Sequence, residues 1–85
     1  MERDDQLAPS EITLYVVPHC PLCDQARAWL NSHGHSYVER DVSADFGALR
    51  SMYRLTHQRY VPVVQIGDRY SVRPSSEELA TMLPQ

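Results

Sequence analysis

The sequence predicts an α/β fold: a four-stranded mixed sheet with helices packed on its faces, in the order β-α-β-α-β-β-α. Three observations carry that prediction. A β-branched and aromatic run, Ile12-Thr13-Leu14-Tyr15-Val16, is soon followed by a helical repeat that opens at Pro21. Gly67-Asp68 separates two short strand-like runs and is a strong hairpin signal. Ser75 followed by Glu78, ahead of Leu79, Met82 and Leu83, fits a helix-capping box.

Taken in order, residues 1–10 are polar, carry Pro9 and Ser10, and show no periodicity, so they read as a short disordered lead to a single domain over 11–85. Residues 11–17 form the first strand, and Pro18-His19 the loop. The first helix runs from Pro21 to about His33, because proline is favoured at the first helical position. Leu22, Cys23, Ala26, Trp29 and Leu30 recur along it at helical spacing. Gly34 stops it as a left-handed residue. Residues 36–42 form a second strand, and a helix between two strands implies a parallel pair. Ser43 or Asp45 caps the next helix, whose expected apolar face is Phe46, Leu49, Met52 and Tyr53. The third strand spans 60–66 with Pro62 near its start, where proline is tolerated. Residues 69–72 return antiparallel. The last helix opens around Pro74 and ends at Pro84.

The bulk properties narrow the function classes. Eighty-five residues make one small domain, and 42% hydrophobic content is ordinary for a globular chain. A formal net charge of −3 leaves no electrostatic footprint for nucleic acid. There is no lysine, so Schiff-base chemistry is excluded. No apolar run approaches the roughly 20 residues of a membrane span. The opening Met1-Glu2-Arg3-Asp4-Asp5-Gln6 has no apolar signal core, so a cytoplasmic location is expected.

The chemistry is concentrated in Val17-Pro18-His19-Cys20-Pro21-Leu22-Cys23. The two cysteines lie where a strand ends and a helix begins. The first amides of a helix have no internal partner and carry partial positive charge, so a thiolate at Cys20 is stabilised there. Cys23, one turn on, lies within reach as a resolving thiol. Two other readings compete. The pair is half of a four-ligand zinc site, or it is inert core. A zinc site needs two more ligands, and the histidines at 19, 33, 35 and 57 show no finger-like spacing. Two closely spaced cysteines in a reducing compartment favour catalysis over a staple.

With these residues in place the chain resembles a glutaredoxin, within the three-layer thioredoxin-like fold, over residues 11–83. Cys20-Pro21-Leu22-Cys23 is similar to the family motif Cys-Pro-Tyr-Cys, and Tyr60-Val61-Pro62 to its Thr-Val-Pro segment. The resemblance implies a cis Val61–Pro62 bond beside the dithiol, with Val61 free to pair its backbone with substrate. Two family features are absent. Val17 stands where a base usually meets a glutathione carboxylate, and the Gly-Gly segment of the γ-glutamyl pocket is replaced near Val72-Arg73 and Ser75-Ser76. Tyr70-Ser71-Val72-Arg73-Pro74 is instead similar to the Trp-Ser-Gly-Phe-Arg-Pro segment of NrdH-redoxins, glutaredoxin-like donors to ribonucleotide reductase.

The resemblance therefore implies a thiol–disulfide oxidoreductase of electron transport and cell redox homeostasis. Cys20 and Cys23 are its catalytic pair, and Tyr60, Val61, Pro62 and Arg73 its substrate-binding residues. No metal or bound cofactor is expected. The electrons come from thioredoxin reductase and NADPH, or from glutathione. The partners are disulfide-containing proteins, ribonucleotide reductase among them, and the chain is expected to act as a monomer. A glutathione-dependent glutaredoxin is one alternative. An iron–sulfur module, with two chains sharing a cluster through Cys20, is another. Outside the motif, His19 as a cation would favour a Cys20 thiolate, or is a plain loop residue. Trp29 has core spacing, and Asp24 complements the helix dipole.

Overall fold

A computed structural model describes residues 11–83 of the chain. The proposed lead over 1–10 and the stop at Pro84 lie outside those residues. The elements are β1 (Ile12–Val16), α1 (Pro21–Ser32), β2 (Tyr37–Asp41), α2 (Phe46–Thr56), β3 (Val63–Ile66), β4 (Arg69–Val72) and α3 (Ser76–Met82). The strand order is β2-β1-β3-β4. β1 pairs parallel with β2, and β3 runs antiparallel to both β1 and β4. The predicted element order and mixed sheet are therefore the observed ones.

β1 and β3 are the central strands, and their composition shows it. Leu14, Tyr15 and Val16 are all buried in succession, as are Val63 and Val64. Neighbouring strand residues point to opposite faces, so both faces of the sheet are covered and the molecule has three layers. The edge strand β2 instead leaves Val38 and Glu39 exposed. Leu14, Leu30, Met52, Val63, Val64 and Leu79 are among the largest of its fully buried side chains.

α1 ends where its sequence says it should. Gly34 takes φ +73°, and the amides of Gly34 and His35 reach back to the carbonyls of Asn31 and Leu30 at 3.1 and 3.0 Å. α2 is capped by Asp45, whose Oδ1 accepts from the Ala48 amide at 3.1 Å. α3 carries the full capping box: the Glu78 amide donates to Ser75 Oγ at 3.1 Å, and Glu78 Oε1 accepts from the Ser75 amide at 2.8 Å.

Three expectations are corrected. The inward stripe of α2 is Ala48, Met52 and Thr56, not a face holding Phe46 and Tyr53, which are 71% and 48% exposed. At about 100° per residue Phe46 lies about 200° round from Ala48, so the two cannot share a face. The third strand begins at Val63, and Tyr60, Val61 and Pro62 belong to the loop before it. Pro74 precedes the Ser75 cap and so stands outside α3. Trp29 packs on the edge of the core only half-buried. Its ring stacks on His33 at 3.8 Å and lies parallel to His35 at 5.8 Å. Among the described residues no helix is long and apolar enough to cross a membrane.

Candidate active site

The site is built at one edge of the sheet. Val16 is level with Asp41 of β2, and Tyr15 with Val63 of β3. The chain leaving β1 and the chain entering β3 therefore emerge side by side. The first leads through Pro18 and His19 to Cys20; the second is Tyr60-Val61-Pro62. His19 turns the loop at φ 58° and is exposed.

Cys20 is the N-cap of α1. Its backbone is extended, its carbonyl accepts from the Asp24 amide at 3.0 Å, and its Sγ accepts from the Cys23 amide at 3.1 Å. The sulfur thus stands where serine or aspartate oxygens stand in ordinary caps. The Cys23 N–H dipole is thus aimed at this sulfur at the open end of the helix. Cys20 is partly accessible, whereas Cys23 is only 1% exposed.

The two thiols are consequently unlike. Burial pushes the Cys23 thiol up from 9.0 to about 11, and its hydrogen bond with Cys20 adds to that. A backbone hydrogen bond with Val17 and the Arg27 charge oppose the shift without cancelling it. At neutral pH Cys23 keeps its proton. Arg27 is itself fixed: Nη1 donates to Asp24 at 2.6 Å, and Nε and Nη2 grip Glu39 at 2.9 and 2.8 Å. This bidentate pair ties the first turns of α1 to β2. Reading the sequence alone left Arg27 unremarked, although Asp24 and Arg27 at a spacing of three were a visible signal.

Tyr60, Val61, Pro62 and Arg73 come together in the fold. The Val61–Pro62 peptide bond is cis. The Arg73 amide donates to the Pro62 carbonyl, and Arg73 Nε to the Val61 carbonyl, each at 2.8 Å. Its guanidinium lies over the Tyr60 ring, 4.8 Å from the centroid. Arg73 adopts φ 50° to make this clasp. The Val61 carbonyl is therefore engaged by Arg73. Pro62 and Val61 are buried, whereas Tyr60 is 64% exposed and forms the rim. Among the described residues no three His, Cys, Asp or Glu side chains are grouped to hold a metal ion.

A partly accessible sulfur on a helix N-terminus, with a protonated buried thiol one turn behind it, is a disulfide-exchange pair. The glutaredoxin family model matches residues 12–71, most of the chain. The chain belongs to the glutaredoxin family. It is 33% identical to a glutaredoxin of Neisseria meningitidis over 60 residues, 69% of this chain and 71% of that one. The thioredoxin-like protein BC3987 superposes with a TM-score of 0.80 at 26% identity, over 85% of this chain and 99% of that one. The NrdH-redoxin of Escherichia coli, a glutaredoxin-like protein with a thioredoxin-like activity profile, superposes with a TM-score of 0.76 at 21% identity. That match covers 88% of this chain and 97% of that one and shares its fold. This glutaredoxin is a thiol–disulfide oxidoreductase in type, working on disulfide substrates with a reductant, and its Cys20-x-x-Cys23 pair has the family arrangement.

Proposed function

We propose that this glutaredoxin reduces protein disulfides by dithiol exchange, with Cys20 as nucleophile and Cys23 as resolving thiol. The observation that carries the reading is the asymmetry of the pair: an amide donates to Cys20 Sγ at 3.1 Å, while burial holds Cys23 as a thiol. Cys20 thiolate attacks one sulfur of the substrate disulfide. A Cys20–substrate disulfide forms, and the other substrate sulfur leaves as thiolate. Cys23 then gives up its proton, the departing thiolate being a suitable acceptor, and attacks Cys20 Sγ. The second substrate thiolate leaves, and a Cys20–Cys23 disulfide remains. Two electrons have passed to the substrate.

The Tyr60–Pro62 loop, clasped by Arg73, forms the wall against which the substrate chain lies. The Val61 N–H is the backbone group offered to it. The donor that regenerates the dithiol is thioredoxin reductase with NADPH rather than glutathione. Val17 supplies no charge for a glutathione carboxylate, and Arg73 Nε is committed to Val61. Each charge-assisted hydrogen bond missing from a small anionic peptide costs about 1.5–3 kcal/mol, so its loss weakens binding tenfold or more. The protein acts as a monomer in the cytoplasm, without a bound cofactor, and ribonucleotide reductase is among its candidate acceptors.

The test is turnover of a protein disulfide under two electron supplies at matched protein concentration. Thioredoxin reductase with NADPH is expected to sustain it faster than glutathione with its reductase. Turnover with glutathione and none with thioredoxin reductase refutes the donor assignment and leaves the dithiol chemistry standing.

A further inference from the structure

Charge is segregated along this chain. Residues 46–67 hold three arginines and one histidine and no aspartate or glutamate, although the whole chain carries a formal net charge of −3. The exposed residues of α2 include Phe46, Arg50, Tyr53, Arg54 and His57 at its end, spaced as one helical stripe opposite the buried Ala48, Met52 and Thr56. Arg50 lies over the Phe46 ring at 5.3 Å, Arg59 over Tyr53 at 5.9 Å and Arg73 over Tyr60 at 4.8 Å. Among the described residues the ion pairs belong to Arg27 and Arg40, and none to these four arginines.

The stripe lies at the working edge of the molecule. α2 joins the end of β2 at Asp41, level with Val16, to the start of β3 at Val63, level with Tyr15. The segments that lead into and out of the helix therefore both meet the edge from which the Cys20 loop leaves. Past its C-terminus the exposed Arg59 and Tyr60 continue the stripe to the loop clasped by Arg73.

We propose that this face, from Phe46 to Tyr60 and Arg73, docks an acidic polypeptide segment that neighbours the substrate's disulfide. The inference rests on the disulfide-exchange reading above. Arg50 and Arg59, each beside an aromatic ring, keep their N–H groups for a carboxylate, whereas Arg73 keeps only its Nη groups because its Nε is held by the Val61 carbonyl. The exposed rings between the charges offer apolar contact to the same segment. The face ends at the Tyr60–Pro62 loop, which enters β3 beside the strand end that leads to Cys20, so a segment lying on it brings its neighbouring disulfide towards Cys20. Nucleic acid is the less suitable polyanion, because the net charge of the chain repels a phosphate backbone at long range.

The test uses pre-reduced full-length protein and three peptides carrying the same internal disulfide, flanked by Asp/Glu, by Asn/Gln or by Lys. Single-turnover reduction is followed at low and high salt. The acidic peptide is expected to react about tenfold faster than the neutral one at low salt. That advantage should fade towards 1 M salt, where screening acts within about 3 Å. The double variant Arg50→Glu, Arg54→Glu is expected to reverse the order and favour the Lys-flanked peptide, a gain that misfolding cannot produce. Equal wild-type rates for the three peptides, or a double variant that keeps the acidic preference, overturns the proposal. A labelled acidic peptide without cysteines is also titrated, with a single-stranded oligonucleotide as competitor. Binding of that peptide without any disulfide reduction supports the docking face and refutes the exchange reading. An oligonucleotide that binds more tightly than the peptide overturns the acidic-polypeptide assignment.

Discussion

The amide of Cys23 donates to the sulfur of Cys20 at 3.1 Å, so one cysteine of the pair caps the helix that buries the other. Cys20 is held at the helix end because its sulfur takes an orphan amide.

The buried partner gives a pH dependence with a defined sign. The folded state holds the Cys23 proton more tightly than an ordinary thiol does, with the value raised from 9.0 to about 11. The unfolded chain therefore loses this proton first as pH rises. The contribution is fully present below about pH 9 and is lost as pH climbs through about 11. About two units correspond to about 2–3 kcal/mol. Urea midpoints of the reduced protein at pH 8 and pH 11 should show this fall, and a Cys23→Ser variant should lack most of it. A variant that loses as much stability as wild type over that range contradicts the assignment.

Arg73→Ala should loosen the Tyr60–Pro62 loop. It removes the Nε donor to the Val61 carbonyl and the cation from the Tyr60 ring. Because Arg73 is exposed, the stability loss is expected to be only about 1 kcal/mol. The kinetic effect should fall on KM for a protein disulfide more than on kcat, because the loop positions substrate and does not react. A lower kcat with unchanged KM would count against this positioning role.

Leu14→Ala should cost about 2–5 kcal/mol, as a fully buried leucine in a central strand does. Stability near 0.05–0.15 kcal/mol per residue leaves this small domain little reserve. Denaturant titration should therefore show the variant partly or wholly unfolded in buffer at 37 °C. Retention of the wild-type midpoint would mean that Leu14 is not in the core.

Local chemistry made most of the fold legible. The Pro21 start, the Gly34 stop, the Gly67-Asp68 turn and the Ser75–Glu78 box each act within a few residues, so their signals survive in the bare sequence. The α2 face was misread because Phe46 and Tyr53 are apolar by type. The stripe that turns inward, Ala48, Met52 and Thr56, includes a small and a polar residue, so residue type alone does not mark it. The cysteines were legible for their position at a strand–helix junction. The clasp of Arg73 on Val61 was not, because it joins residues from two different loops whose approach only the folded β3–β4 pair creates.

Ser75→Ala should cost about 1 kcal/mol by removing both arms of the α3 capping box. Helix α3 has only seven residues, so local loss should show first. Amide hydrogen exchange at Leu79 should quicken before global stability falls much. Unchanged protection there would mean that core packing of Leu79 and Leu83, rather than the cap, holds this helix.

The order in which the two cysteines react tests the central claim most directly. Reduced native protein is treated at neutral pH with less than one equivalent of iodoacetamide, and the labelled residue is located by mass spectrometry. The label should fall on Cys20, with Cys23 reacting appreciably only as pH approaches its raised value of about 11. Label found first on Cys23 would contradict the assignment of nucleophile and resolving thiol.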